Sequence, residues 1–94
     1  MFFNHSISCV ITNYNHDKYI KNTIKIVFEQ SVKFDQVIII DDGSNDNSLK
    51  ILKLLNKKYK FKLIKNKKNL GINVSFNKAL RHIKTKFLFT MAMD

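Results

Sequence analysis

Three carboxylates lie within six positions of this chain, at the end of a run of branched apolar residues. Asp41 and Asp42 directly follow the apolar residues 37–40, and Asp46 comes four positions later. The whole chain has 7 Asp+Glu against 17 Lys+Arg, so this concentration of acids is local. Adjacent carboxylates after a buried segment are costly unless water, a cation or a polar ligand satisfies them. The segment therefore predicts a ligand or cation site, with an ordinary Asp/Gly/Ser turn as the alternative.

The apolar run before these acids has no polar alternation, which is typical of a strand buried on both faces of a parallel sheet. In open α/β sheets, ligands bind in the crevice at the carboxyl ends of the strands, where Asp41 and Asp42 would lie. Gly43 permits a tight turn at this point. Ser44 or Asp46 is expected to cap the helix that follows.

Apolar periodicity in the rest of the chain alternates between strand and helix patterns. Ile20, Ile24 and Val27 form one stripe of a first helix, for which Asp17 or Asn15 is the expected cap. The order β-α-β-α-β-α-β predicts an α/β, Rossmann-like fold with three layers, α/β/α, around a mainly parallel four-stranded sheet. The predicted strands are residues 7–13, about 35–41, 59–64 and 87–91, and the predicted helices are about 20–28, 46–58 and 72–83.

The length and composition are those of a single globular domain. The chain has 94 residues, of which 45% are hydrophobic, enough for one modest core. Its longest apolar run is far shorter than the ~20 residues of a membrane helix, and its N-terminus lacks a signal-peptide pattern. We therefore expect a cytoplasmic location. Cys9 is the only cysteine, which predicts a buried thiol and excludes a disulfide framework or a CxxC zinc site.

The formal net charge of +10 raises the hypothesis of a nucleic-acid or anionic-membrane partner. Arg81 is the only arginine, and arginine is the residue favoured for bidentate recognition of bases and phosphates, so specific nucleic-acid binding is not expected. The lysine cluster within residues 57–68 is interpreted as a solvated edge. Peripheral contact with an anionic membrane, which would place the chain at its inner face, is the alternative.

In such a sheet, polar residues from four separate segments meet at one edge: Tyr14-Asn15, Asp41-Asp42, residues 69–71 and Asp94. They would supply an aromatic face and oxygen acceptors for a nucleoside, and carboxylates for the divalent cation that a diphosphate needs. The chain has no GxGxxG or GxxxxGK[ST] phosphate loop. Metal and side chains would therefore have to hold the phosphates.

Four segments together resemble a known family. They have the order and spacing of the amino-terminal half of the family 2 glycosyltransferases, which have the GT-A fold, and they span nearly the whole chain. Each segment alone is a weak signal, whereas the four in register are a strong one. The segments are residues 7–15, residues 37–46, residues 69–71 with Asn77, and residues 87–94.

The resemblance implies that the ligand is a nucleotide-sugar donor, commonly a UDP-sugar, with Thr12, Tyr14 and Asp41-Asp42 around its base and ribose. It also implies that Asp94 belongs to an Asp-x-Asp motif, whose Mg²⁺ or Mn²⁺ would bridge the diphosphate as a Lewis acid. The expected nucleotide-binding residues are Thr12, Tyr14, Asn15, Asp41, Asp42, Asn69 and Gly71.

The chain departs from the family pattern at three positions. Thr12 stands in place of the usual proline, Phe76 in place of an arginine near the nucleotide, and Ala92 in place of the first Asp of the metal motif. Nothing in the 94 residues matches the acceptor-binding half or the catalytic base, which in inverting members deprotonates the acceptor hydroxyl. We therefore expect residues 1–94 to be a single, truncated donor-binding domain, incomplete as an isolated enzyme. The acceptor, a sugar or a lipid-linked glycan, is not identified.

Two other classes of function remain open at this stage. A non-catalytic basic α/β module could bind a partner chain, RNA or an anionic surface, and an exposed sheet edge would favour such association. A response-regulator-like domain also has paired acids after a strand. The later lysine expected of that class is not evident here.

Overall fold

The computed structural model describes residues 6–31 and 33–93, and within them four parallel strands form one sheet. The elements are β1 (Ile7–Asn13), α1 (Asp17–Glu29), β2 (Gln36–Asp42), α2 (Ser48–Tyr59), β3 (Lys62–Asn66), α3 (Ile72–Leu80) and β4 (Phe87–Ala92). The strand order is β3-β2-β1-β4, so β1 and β2 lie in the interior and β3 and β4 at the edges. The predicted α/β fold, its element order and its parallel sheet are confirmed.

The two faces of the sheet are covered by different helices because side chains alternate along each strand. Cys9 and Ile39 pack with Ile20 and Leu52, so α1 and α2 cover one face. Val10, Ile38 and Ile40 pack with Ala79 of α3 on the other face. Residues 38–40 are wholly buried, as the unbroken apolar run predicts, and each isoleucine contributes roughly 2 kcal/mol through burial.

Two predicted boundaries on the third βα unit are wrong. The alternating residues 59–64 were expected to form the strand, but α2 continues to Tyr59 and β3 begins only at Lys62. The reason is a helix end: Lys60 adopts the left-handed conformation at φ 56°, and the Asn56 side chain accepts the N–H of Phe61 at 2.7 Å. Helix α3 ends at Leu80, so Ile83 packs against the core from the following loop.

The residues expected to cap α1 and α2 instead tie the two helix starts together. Asp46 accepts the N–H of Ser48 at 2.8 Å and that of Asp17 at 3.0 Å, while Asp17 accepts the N–H of Asn47 at 3.2 Å. The N-cap positions themselves are His16 and Asn47, so Asn15, Asp17 and Ser44 do not cap as predicted, whereas Asp46 does accept the first N–H of α2. The acids satisfy helix-start N–H groups across the two loops, which holds both loops at the same end of the sheet.

The two sheet edges differ in chemistry. The lysines of the 57–68 segment are all exposed, in agreement with a solvated edge along β3. Edge strand β4 carries Phe87, Leu88 and Phe89, which are 48%, 37% and 48% exposed. Within the described ranges no helix is long and apolar enough to cross a membrane.

Candidate functional site

A cavity of about 250 Å³ lies at the carboxyl ends of the strands. Five of the residues singled out in the sequence line it: Thr12, Tyr14, Asp42, Asn69 and Gly71. Asn15 and Asp41 are not in its wall, and Asp94 lies outside the described residues. The full lining is Thr12, Asn13, Tyr14, His16, Asp42, Asn69, Gly71, Ile72, Ser75 and Ala92.

Asp42 is the carboxylate of this cavity, and N–H groups hold both of its oxygens. Oδ1 accepts from Asn66 Nδ2 and from the backbone N–H of Leu70, both at 2.8 Å, and Oδ2 accepts from the N–H of Gly71 at 3.0 Å. Burial acts to raise the pKa of Asp42, but the hydrogen bonds from Leu70, Asn66, Ser75 and Gly71 together lower it below its ordinary value. Asp42 is therefore a fixed, ionised acceptor in the cavity wall.

The loop that donates to Asp42 is held in place by a close backbone approach. Gly43 has φ +74°, and a Cβ at this position would lie 2.3 Å from the carbonyl carbon of Lys68 and 2.5 Å from the nitrogen of Asn69. Only glycine allows this contact between the β2–α2 and β3–α3 loops. The contact brings Asn69 and Gly71 to the cavity beside Asp42.

Asp41 lies on the opposite face of the sheet from Asp42 and is 1% exposed. Its Oδ1 accepts from Asn13 Nδ2 at 2.9 Å and from Ser44 Oγ at 2.6 Å, and its Oδ2 accepts from the N–H of Ser44 at 3.1 Å. The carboxylate thus stabilises the turn after β2. The expectation of two paired acids at one crevice is replaced by one acid in the cavity wall and one in the framework beneath it.

Asn15 links the β1–α1 loop to the β2–α2 loop. Its N–H donates to Ser44 Oγ at 3.0 Å, and its Oδ1 accepts from the N–H of Asn45 at 2.7 Å. Asn15 takes φ 56°, a conformation that asparagine tolerates better than most residues. These bonds position Tyr14, which is 40% exposed and lines the cavity.

Four polar site residues were not identified from the sequence. Asn13, His16 and Ser75 line the cavity, and Asn66 donates to Asp42 from the end of β3. Asn66 is the last residue of β3, which pairs with β2. A polar residue at the carboxyl end of a strand is the same signal that identified Asp42 from the sequence. The signal was missed because the strand was placed at 59–64, so Asn66 was assigned to a loop.

A second hollow of about 320 Å³ adjoins the first along α3 and β4. The two share Thr12, Ile72 and Ala92. Phe76 lies in the wall of the second hollow, where the resemblance expects an arginine. Apolar side chains line most of it, so its surface suits an uncharged group better than a phosphate.

The described residues do not by themselves form a divalent-cation site. They contain no group of three His, Cys, Asp or Glu side chains that could hold a metal ion. Asp42 is the one carboxylate in the cavity lining that the structure describes, and its oxygens already accept N–H donors. Met93, the residue before Asp94, donates its N–H to the carbonyl of Thr12 at 3.0 Å. Since Thr12 lines the cavity, the backbone at Met93 lies close to the cavity rim.

The chain is similar in sequence to known glycosyltransferases. The family model described as Glycosyl transferase family 2 matches residues 8–94. A cholesterol galactosyltransferase of Borreliella burgdorferi is 32% identical over 84 residues, which are 89% of this chain and 24% of that protein. An uncharacterized glycosyltransferase of Methanocaldococcus jannaschii is 33% identical over 91 residues, which are 94% of this chain and 31% of that one.

Solved structures show the same fold. A Pyrobaculum calidifontis mannosyltransferase in complex with GDP-Man and Mn²⁺ matches with TM-score 0.86 at 19% identity, over 94% of this chain and 27% of that one. S. aureus TarS in complex with UDP-GlcNAc matches with TM-score 0.83 at 26% identity, over 95% and 26%. The chain thus spans about a quarter to a third of the proteins it matches. By the family model, which matches residues 8–94, the chain belongs to glycosyl transferase family 2.

Proposed function

We propose that the cavity binds the nucleoside part of a nucleotide-diphospho-sugar, and that the chain is the donor-binding part of a glycosyltransferase. The observation that carries the proposal is Asp42, an ionised acceptor held by three N–H groups in the wall of the cavity. Such a carboxylate can accept a hydrogen bond from a nucleobase N–H or a ribose hydroxyl. Tyr14 lines the same cavity and is 40% exposed, so its ring is available for stacking on a base.

The size of the cavity supports binding of part of the donor. Its volume of about 250 Å³ is below the roughly 300–1,000 Å³ of sites that enclose a whole drug-sized ligand. A base and ribose would occupy it, while the diphosphate and sugar would extend past Thr12 towards the end of β4. A UDP-sugar is the proposed donor, supported by the TarS complex with UDP-GlcNAc. A GDP-sugar is the competing choice, supported by the mannosyltransferase complex with GDP-Man.

We further propose that donor binding uses Mn²⁺ or Mg²⁺ and that Asp94 is a ligand of this cation. The support is that solved structures with this fold are complexes with Mn²⁺, and that Met93 bonds to Thr12 at the cavity. Carboxylate and phosphate oxygens are the ligands that such hard cations prefer. Ala92 in place of a second motif carboxylate reduces the charge available to hold the cation, so we expect weak metal-dependent binding.

The chain alone is expected to transfer little or no sugar. We assign no described residue as the base that deprotonates an acceptor hydroxyl, since Asp42 is held as an acceptor by its N–H donors. The relatives are three to four times longer than the matched segment. Acceptor binding and the base are therefore assigned to the part of the relatives that this segment does not match.

Calorimetric titration tests the proposal directly. UDP, GDP and their sugars are titrated into the folded chain with and without Mn²⁺. Asp42→Asn is compared with Glu29→Gln, the same acid-to-amide change on α1, where Glu29 accepts only an exposed bond from Tyr59 in the described structure. We expect Asp42→Asn to weaken UDP binding at least tenfold, about 1.4 kcal/mol, and Glu29→Gln to change it less than twofold. Absence of binding by every nucleotide in a folded chain would contradict the proposal.

A second candidate function rests on the exposed lysines of the 57–68 segment. They could hold the chain on an anionic membrane surface by charge attraction. Vesicles with and without anionic lipid would separate the two functions. Salt-sensitive binding that is unchanged in Asp42→Asn would support a surface role in addition to the cavity, and absence of vesicle binding at low salt would exclude it. RNA binding with the same salt response would instead indicate general attraction to polyanions.

A further inference from the structure

We propose that Lys78 and Asn66 are positioning residues for Asp42, with Lys78 acting through the Asn66 amide. The inference rests on the proposed function, because it gives these residues a role in nucleotide binding through the cavity carboxylate. Neither residue was singled out in the sequence, and neither lines the cavity. Lys78 lies on α3 and Asn66 at the end of β3, so the three side chains join two elements to β2.

The three side chains form one chain of hydrogen bonds. Lys78 Nζ donates to Asn66 Oδ1 at 2.7 Å, and Asn66 Nδ2 donates to Asp42 Oδ1 at 2.8 Å. Asn66 Nδ2 also donates to Ser75 Oγ at 2.9 Å. Asn66 is 6% exposed and Lys78 is half-buried, so water competes little for the inner bonds.

The lysine and the carboxylate fix the orientation of the amide from its two ends. A lysine ammonium has donors only, so it pairs with the Asn66 amide oxygen, and an ionised carboxylate has acceptors only, so it pairs with the NH₂ group. Without the ammonium, the amide oxygen loses its charged partner, and only Asp42 and Ser75 hold the amide in place. The N–H bond from Asn66 to Asp42 is then less firmly oriented.

The lysine also strengthens the bond to Asp42. A cation on the amide oxygen polarises the group and makes its N–H a better donor, since bonds in a chain reinforce one another. The effect favours the ionised form of Asp42, in the same direction as the lowered pKa of this carboxyl. Asp42 then presents an acceptor of fixed orientation to the cavity.

Other titratable groups surround Asp42 and must be held constant in any test. Tyr14 and His16 line the same cavity from the β1–α1 loop. Lys67 and Lys68 are exposed on the β3–α3 loop, and Asp41 is adjacent in sequence but faces the other side of the sheet. A change confined to Lys78 leaves all of these groups in place.

The first experiment measures the titration of the Asp42 carboxyl carbon by NMR in the full chain without ligand. Lys78→Gln removes the ammonium and keeps a side chain of similar length, and Lys53→Gln makes the same charge change at an exposed position on α2, across the sheet. We expect Lys78→Gln to raise the pKa of Asp42 and Lys53→Gln to leave it unchanged. Lys78→Arg restores a donor and is expected to restore the titration. An unchanged Asp42 titration in Lys78→Gln overturns the proposal.

A second variant decides whether Lys78 acts through the amide or through space. In an Asn66→Ser background, Lys78→Gln is expected to have little further effect on the Asp42 titration. If Lys78→Gln shifts the Asp42 titration equally with Asn66 present and with Asn66→Ser, Lys78 acts on Asp42 by direct Coulomb attraction, and the role of Asn66 is overturned. If Asn66→Ser does not fold, Ser75→Ala takes its place in the cycle, because Ser75 also accepts a bond from the Asn66 NH₂ group. If Lys78→Gln shifts the Asp42 titration equally with and without Ser75→Ala, Ser75 does not fix the amide, and orientation by Lys78 is supported.

Nucleotide binding separates this inference from the proposed function. UDP titrations at neutral pH are expected to show a threefold to tenfold higher dissociation constant for Lys78→Gln, with no change for Lys53→Gln. A shifted Asp42 titration without any UDP binding would retain the positioning role and contradict the nucleotide site. UDP binding that is unaffected by Lys78→Gln, together with an unshifted titration, would retain the nucleotide site and overturn the positioning role.

Discussion

Asp41 and Asp42 are consecutive residues, yet their carboxylates lie on opposite faces of the sheet and serve different parts of the molecule. Asp41 accepts from Asn13 and Ser44 on the face covered by α1 and α2. Asp42 accepts from Asn66 and Gly71 at the cavity on the α3 face. The last residue of β2 therefore faces the ligand cavity, and the residue before it holds the turn.

This division predicts different effects for the same substitution at the two acids. Asp41→Ala removes the acceptor of the Ser44 hydroxyl and N–H and leaves the buried Asn13 amide only its 3.3 Å bond to Ser44 Oγ, so it is expected to cost about 2–4 kcal/mol of unfolding free energy. Any UDP binding by the chain that remains folded should be close to that of the unaltered protein. Asp42→Ala is expected to lose UDP binding beyond its effect on folding. Urea unfolding and calorimetry on both variants check the assignment, which fails if Asp41→Ala abolishes binding in a fully folded chain.

Gly43 and Gly71 provide a matched pair for backbone strain. Both have positive φ, +74° and +94°, but a Cβ at Gly43 would lie 2.3 Å from backbone, whereas a Cβ at Gly71 would meet no atom within 4 Å. Gly71 has φ 94° and ψ 158°, a conformation adopted almost only by glycine, so we expect Gly71→Ala to cost about 1–2 kcal/mol from the backbone conformation alone. Gly43→Ala should cost about 3 kcal/mol or more, because the Lys68 backbone must also move. Thermal or urea unfolding of the two variants measures the difference, and equal costs would contradict the close approach.

Acid should destabilise the chain through Asp42 and Asp46. Burial acts to raise the pKa of Asp46, but hydrogen bonds from Ser48 and from the Asp17 backbone outweigh it and lower the pKa below the ordinary 3.8. The unfolded chain therefore takes up protons at higher pH than the folded one. The stabilisation is complete above the ordinary carboxyl pKa and is lost as the pH falls through the lowered native values.

The Asp46 part of this effect can be isolated by substitution. Asp46→Asn is expected to cost about 1 kcal/mol at pH 7 and progressively less as the pH falls through the lowered native pKa, because the unaltered carboxyl then also becomes neutral. Glu29→Gln, the same acid-to-amide change on α1, is the control. Urea unfolding across the pH series provides the measurement. A cost of Asp46→Asn that stays constant down to the lowest pH would contradict the lowered pKa.

Cys9 should report opening of the central strand. Its thiol is wholly buried in β1, and burial raises its pKa to about 11. Since the thiolate is the reactive form, a thiol reagent should label the native chain only as fast as it unfolds, and within seconds in concentrated urea. Rapid labelling under native conditions would contradict this burial.

The raised pKa of Cys9 also means that the thiol's contribution to stability is complete below pH 9 and is lost as the pH rises towards 11.

Local patterns were sufficient to predict most of the architecture. The unbroken run 37–40 predicted a strand buried on both faces, and the spacing of Ile20, Ile24 and Val27 predicted an amphipathic helix, as the structure has them. These signals are local because the periods of a helix and a strand depend only on neighbouring residues. The order of elements then restricted the fold to a parallel sheet, so Thr12, Tyr14, Asp42, Asn69 and Gly71 could be placed at one edge in advance.

The chemistry of each site residue depended on contacts between distant segments. Alternation along β2 required Asp41 and Asp42 to face opposite sides, but only the packing of α3 decided which side holds the cavity. The donors to Asp42 come from residues at least 24 positions away, and Lys78 reaches it through Asn66 of a third segment. Sequence spacing carries no information about such contacts, because strand register and loop conformation set them only when the whole sheet has formed.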